Sequence, residues 1–213
     1  MAKDLEENGA VFIKQGETSQ SISLSDLFTL KDETVTPVLK SADPPVRANV
    51  LSLSTQYSVP ISEAVKNIFL PYFDKAIWFQ NSSLYHFSMF HASHHIAPVP
   101  ATETEIEAEA NAVKAVAESI CPLHIVLDRV VLTSTGVLLG CWQEESKISE
   151  QQIFHDLVNR LNNQIRGLKS MYSKHEISST VSELWYVEEY DLLALAVNGN
   201  MKIRKFKLGC SEA

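Results

Sequence analysis

Between Val46 and Leu208 the apolar residues switch period several times, from two to 3.6 and back, which restricts the chain to folds that mix helices with paired strands. Val46-Arg47-Ala48-Asn49-Val50-Leu51-Ser52-Leu53 reads as a strand entering a core. Pro60 near a first turn, followed by Ile61, Ala64, Val65, Ile68, Phe69 and Tyr72, predicts an amphipathic helix that ends near Pro71. Residues 76–80 read as a strand, and Asn81-Ser82-Ser83 as the turn of a hairpin into a second strand over residues 84–95. Thr102 with Glu105 forms a capping box, and Ile106, Ala110, Val113, Val116, Ala117 and Ile120 form one apolar face up to Cys121-Pro122. Residues 124–133 and 137–143 make a second hairpin around Ser134-Thr135-Gly136. Ser149 with Gln152 opens another helix, carried by Ile153, Leu157, Leu161, Ile165 and Leu168. The last hairpin runs from Glu183 to Val197, turns at Asn198-Gly199 and returns over Met201 to Leu208. In its returning strand the alternation breaks near Arg204-Lys205, which predicts a bulge or a twisted edge. The order is strand, helix, two strands, helix, two strands, helix and hairpin, an α+β pattern.

Residues 1–45 are polar, show little periodicity and end at the breaker Asp43-Pro44-Pro45, so they read as a mobile leader before a folded domain over residues 46–210. The longest apolar run, Leu192 to Val197, is too short to span a bilayer, and the opening Met-Ala-Lys-Asp-Leu-Glu-Glu lacks the apolar core of a secretory signal. The expectation is a soluble intracellular protein, cytoplasmic or nuclear, with no membrane partner. Cys121, Cys141 and Cys210 are odd in number and form no C-x-x-C pair, so reduced thiols are expected, and the glycosylation match at Asn81-Ser82-Ser83 reads as accidental. A formal net charge of −8 argues against an extended grip on long nucleic acid, whose affinity comes mainly from phosphate contacts. A small phosphate-bearing ligand is compatible with it. The sequence gives no indication of oligomeric state.

The chemistry concentrates in Leu84-Tyr85-His86-Phe87-Ser88-Met89-Phe90-His91-Ala92-Ser93-His94-His95, which holds four of the seven histidines. In a strand, His86 and Ser88 share a face while Phe87 and Met89 point away. An imidazole exchanges a proton near neutral pH and a hydroxyl donates to a phosphoryl oxygen, so the pair suits phosphodiester chemistry without a metal. His91 and Ser93 form an overlapping copy, which regular alternation would turn to the other face. His91, His94 and His95 suggest a metal cluster only weakly, because no thiol or carboxylate ligand is near and Pro98 and Pro100 follow. Trp78, Tyr85 and Trp185 could stack a base, although aromatics in strands are more often core. Lys202, Arg204, Lys205 and Lys207 are more readily explained as charges that solubilise an edge strand.

With these elements in this order, the chain resembles the two-histidine (2H) phosphoesterases, in particular the plant-type RNA ligase/cyclic nucleotide phosphodiesterase family. The resemblance rests on residues 77–95, on Leu127-Asp128-Arg129-Val130-Val131-Leu132-Thr133-Ser134-Thr135-Gly136-Val137-Leu138-Leu139-Gly140-Cys141-Trp142, and on Ser182-Glu183-Leu184-Trp185-Tyr186-Val187-Glu188-Glu189-Tyr190-Asp191. It covers most of residues 46–210. It implies a bilobal fold of antiparallel sheets with flanking helices, in which two H-x-[ST] strands face each other across a cleft. It further implies general acid–base attack on a 2′,3′-cyclic phosphate or an RNA end, with no cofactor and no metal. His86 and Ser88 match the first motif, with His91 and Ser93 in reserve, and Tyr85 and Trp185 are candidate substrate contacts.

The chain departs from that family at the second motif. His124 is followed by Ile125-Val126, His155 by Asp156-Leu157 and His175 by Glu176-Ile177-Ser178, so no second H-x-[ST] lies outside residues 86–95. One account is a segment missing near residues 143–148, which leaves the second lobe incomplete. The other makes residues 171–180 a degenerate motif strand with His175, whose H-x-x-S spacing puts His175 and Ser178 on opposite faces. Both predict a weak or inactive phosphodiesterase, since one positioned acid or base is worth roughly 10²–10⁴-fold. The competing reading is a non-catalytic remnant that binds an RNA end, a nucleotide or a protein.

Overall fold

The computed structural model describes residues 22–72, 77–132, 137–144 and 178–209. The elements in chain order are α1 (Leu24–Leu27), β1 (Phe28–Lys31), β2 (Thr34–Pro37), β3 (Ser41–Ser52), α2 (Thr55–Phe69), a 3₁₀ turn (Ser82–Leu84), β4 (His86–Ser93) and α3 (Glu103–Ser119). They continue with β5 (Leu123–Leu132), β6 (Leu138–Glu144), β7 (Ser178–Val181), β8 (Glu183–Asp191), α4 (Ala194–Val197) and β9 (Met201–Lys207). Helices beside wholly antiparallel strands make an α+β architecture. The strands form a β1–β2 hairpin, a four-stranded sheet in the order β4-β3-β8-β9 and a three-stranded sheet in the order β6-β5-β7.

The four-stranded sheet has a core on each face. Ala48, Val50, Trp185 and Val187 alternate onto one face and pack with Leu84 and Leu195, flanked by Met201 and Ile203. Leu184 on the other face packs with Ala117 and Leu208, flanked by Leu51, Val113 and Phe206. β8 is buried almost throughout, as expected of a central strand covered on both sides. The α3 capping box is present as the sequence predicts, the Thr102 hydroxyl accepting from the Glu105 N–H and the Glu105 carboxylate accepting from the Thr102 N–H. Among the described residues no helix is long and apolar enough to cross a membrane.

Several expectations need correction. Residues 22–45 are not featureless: Leu27 is buried, β1 and β2 turn through Asp32 and Glu33 at positive φ, and β3 starts at Ser41, five residues before Val46. The Pro44-Pro45 pair interrupts pairing rather than ending the strand, since the ladder with β8 skips from Ser41 to Val46 where the prolines have no N–H to donate. Residues 1–21 lie outside the described residues.

α2 starts at Thr55, capped by the Ser54 side chain, so Pro60 falls inside the helix instead of at its first turn. Residues 77–80 form no strand. The Gln80 amide donates instead to the Leu84 and Leu195 carbonyls at 3.1 and 3.0 Å, and Asn81 Oδ1 accepts the Ser83 N–H at 3.0 Å to cap the 3₁₀ turn. These local side-chain bonds compete successfully with a ladder, and β4 pairs with β3 instead.

β8 stops at Asp191, whose carboxylate accepts the Asn200 N–H at 2.6 Å; α4 intervenes, and Asn198 at φ 58° caps α4 instead of closing a two-residue hairpin. β9 follows β8 without any register shift, so the bulge expected at Arg204-Lys205 is absent. Arg204 takes an inward position because Glu107 of α3 and Glu188 of β8 pair with it. Cys121 is disulfide-bonded, against the expectation of reduced thiols, and its partner lies outside the described residues; Cys141 is free. Sequence separation says nothing of proximity here, for the Gly209 N–H donates to the Ala117 carbonyl near the end of α3. The predicted helix over residues 149–168 and the position of His175 lie outside the described residues.

Candidate functional site

Among the described residues β4 is an edge strand of the four-stranded sheet, and its pairing with β3 decides where its side chains go. His86 lies opposite Ser52, Phe87 opposite Leu51 and Ser88 opposite Val50, as alternation requires. The ladder then slips: Phe90 opposes Asn49, His91 opposes Ala48 and Ser93 opposes Arg47, so Met89 and Ala92 are bulged out. Ser52, Val50 and Ala48 share one face of β3, and their partners His86, Ser88 and His91 therefore share it too.

The first bulge reverses the expectation that His91 turns away. The second splits the overlapping motif, for Ser93 goes to the opposite face, is 1 % exposed and accepts the Val99 N–H on its Oγ at 3.1 Å. The site face thus carries an exposed hydroxyl, Ser88, midway between two half-buried imidazoles. At the rise of a strand each imidazole-bearing position is roughly 7 Å from Ser88.

His86 Nδ1 lies 2.7 Å from the Leu84 carbonyl, which can only accept, so Nδ1 carries the hydrogen and Nε2 keeps its lone pair. Burial lowers the His86 pKa below the ordinary histidine range, and the bond to Leu84 offsets this in part. His91 is also lowered, first by burial and then by the potential positive charges of His94, His95 and His86. The His91 and His94 rings meet edge to face at 5.1 Å, and those of His94 and His95 are 4.1 Å apart. His94 Nδ1 accepts the Ile96 N–H at 3.2 Å. Among the described residues no group of three or more His, Cys, Asp or Glu side chains is placed to hold a metal ion.

The other predicted residues scatter. Trp185 is 3 % exposed, donates from Nε1 to Glu183 at 2.9 Å and lies under the Lys205 ammonium, 4.3 Å from the ring centroid, so it offers no open face to a base. Tyr85 is half-buried just before β4, and its carbonyl accepts the Leu53 N–H. The three-stranded sheet does hold an imidazole and a hydroxyl together, His124 Nδ1 and Thr180 Oγ1 at 3.3 Å, but built across β5 and β7 rather than along one strand. A ring contact between the sheets, Phe87 against Trp142 at 6.0 Å, lies on the face of β4 opposite His86.

Sequence reasoning missed the group that fixes the end of β4. Arg47, 2 % exposed, donates to both carboxylate oxygens of Glu109 at 2.8 and 3.2 Å and to the Val99 carbonyl at 2.8 Å. Tyr186 donates to the same carboxylate at 2.7 Å, and burial, then that bond, raises its pKa. The available signal was Glu109 itself, an acid three residues after Ile106 and four before Val113, inside the apolar stripe of α3. Comparison with protein-family models, with curated proteins and with solved structures finds no match to this chain.

Proposed function

We propose that the protein is a phosphodiesterase of the two-histidine kind, acting on 2′,3′-cyclic phosphates or RNA ends through His86, Ser88 and His91. The observation that carries this reading is the bulge at Met89, which sets two imidazoles on either side of a hydroxyl on one face of β4. A phosphoryl group seated over Ser88 accepts the Oγ hydrogen on a non-bridging oxygen. Nε2 of His86, the free nitrogen of a ring whose other nitrogen is committed to Leu84, takes a proton from the attacking water. The new P–O bond forms as the bond to the ribose 2′- or 3′-oxygen breaks, and protonated His91 supplies that oxygen with a proton. The product is a phosphomonoester and a free hydroxyl, with no change of oxidation state. His91 thus stands in for the partner that a second H-x-[ST] strand would supply.

Burial lowers the pKa of both imidazoles, which disfavours the protonated His91 that the mechanism needs, so slow turnover is expected at neutral pH. The same observation favours a second reading, in which the site binds the cyclic phosphate without turning it over. The deciding experiment is hydrolysis of a 2′,3′-cyclic nucleotide in EDTA by the protein and by its His86→Ala and His91→Ala variants. Turnover lost in both variants supports the enzyme. A folded protein that is thermally stabilised by the cyclic nucleotide yet does not cleave it supports the binder.

A further inference from the structure

We propose that Ser93, Val99 and Arg47 form a latch that sets the register of β4 and so decides that His91 faces the site. This rests on the reading of His91 as the second imidazole of that site. β4 is held at both ends. At one, the Leu53 N–H donates to the Tyr85 carbonyl at 2.9 Å and Ser52 lies opposite His86. At the other, Ser93 lies opposite Arg47. Between these points β3 runs from Arg47 to Ser52 and β4 from His86 to Ser93, a stretch two residues longer. Two residues must therefore be left without partners, and they are Met89 and Ala92.

The far end stays where it is because Val99 is clasped on both sides. Its N–H goes to the inward-facing Ser93 hydroxyl, and its carbonyl takes a hydrogen from the Arg47 guanidinium, which the Glu109 carboxylate fixes in turn. Without this clasp β4 continues past Ser88 in regular register. Met89 then opposes Asn49, Phe90 opposes Ala48 and His91 opposes Arg47. Phe90 takes the site face, and His91 moves to the α3 side beside a buried cation. A regular edge also gains ladder hydrogen bonds, so the latch has to outweigh them. Arg47 and Ser93 are positioning residues, on the face opposite the candidate site, that act through the parity of a strand.

The test reads register without substrate. In the wild-type protein, cross-strand NOEs place His91 opposite Ala48, and the His91 titration shifts when His86 is replaced by Ala. Ser93→Ala removes the acceptor. Val99→Pro removes the donor from an exposed residue already flanked by Pro98 and Pro100, so it bears little on folding. In both variants Phe90 is expected opposite Ala48, and the His91 titration is expected to ignore His86→Ala, while Ser93→Thr keeps the wild-type pattern. Folded Val99→Pro protein with His91 still opposite Ala48 and still responsive to His86 overturns the proposal, whatever becomes of Ser93→Ala. Failure of cyclic phosphate hydrolysis alone overturns the enzymatic reading and leaves the latch standing.

Discussion

β3 has a neighbour on each side, and the two pairings differ. Towards β8 the ladder from Val46 to Ser52 runs without a slip against Glu183 to Glu189. Towards β4 the same stretch slips twice. The regular side builds the two cores, where Val187 and Tyr186 are fully buried on opposite faces. The slipped side builds the site, where alternation has to be broken for His86, Ser88 and His91 to share a face. One strand thus carries the packed core along its regular edge and the candidate site along its irregular one.

Arg47 takes part in both pairings, and its loss is expected to have the largest effect. Arg47→Ala leaves Glu109 half of a dismantled pair and empties a buried position, and is expected to cost about 3–5 kcal/mol in urea denaturation. Next comes His86→Ala on the slipped side, which under the proposed function should lower cyclic phosphate hydrolysis by roughly 10²-fold or more while moving stability by less than about 1 kcal/mol. If instead the stability loss rivals that of Arg47→Ala, the division of labour between the edges fails.

A third test uses Glu189, 4 % exposed on the regular side. Its carboxyl is pushed up to about 7 by burial, against the pull of the Ala194 and Leu195 N–H groups. The folded state binds this proton more tightly than the unfolded chain, so stability declines as pH rises through 7. Glu189→Gln should therefore stabilise at pH 8 by on the order of 1–3 kcal/mol and change little at pH 5, as thermal melts at both pH values would reveal.

The histidines run the other way and give the smallest effect. Because His86 and His91 are lowered, the folded state resists protonation, and their share of stability is present above about pH 6.5 and lost as pH falls through the lowered values. Under the proposed mechanism, the same shifts are expected to put the optimum of kcat/KM on the acid side of pH 6.5. An optimum well above pH 7 would count against these two imidazoles as the catalytic pair.

Legibility followed the range of the forces involved. The Thr102–Glu105 box, the extent of α3 and the β5–β6 hairpin come from neighbours in sequence and were readable there, whereas the expected α3 stripe holds only in part, since Val116 and Ile120 are exposed. The strand expected at residues 76–80 failed because a hydrogen bond from Gln80 to Leu195 spans more than a hundred residues and no local pattern announces it. The Asn198-Gly199 turn failed similarly, since Asp191 ended β8 early by accepting from Asn200 and left room for α4.

At the site, the chemistry on offer is legible in the sequence: four histidines and two serines within residues 84–95, with His86 and Ser88 side by side under simple alternation. Which of them share a face depends on contacts made in the folded chain. Face is a matter of parity, and parity is set by how many residues the partner strand leaves unmatched between two fixed ends. Those ends are fixed by Tyr85 against Leu53 and by Arg47, Val99 and Ser93, groups brought together from distant parts of the chain.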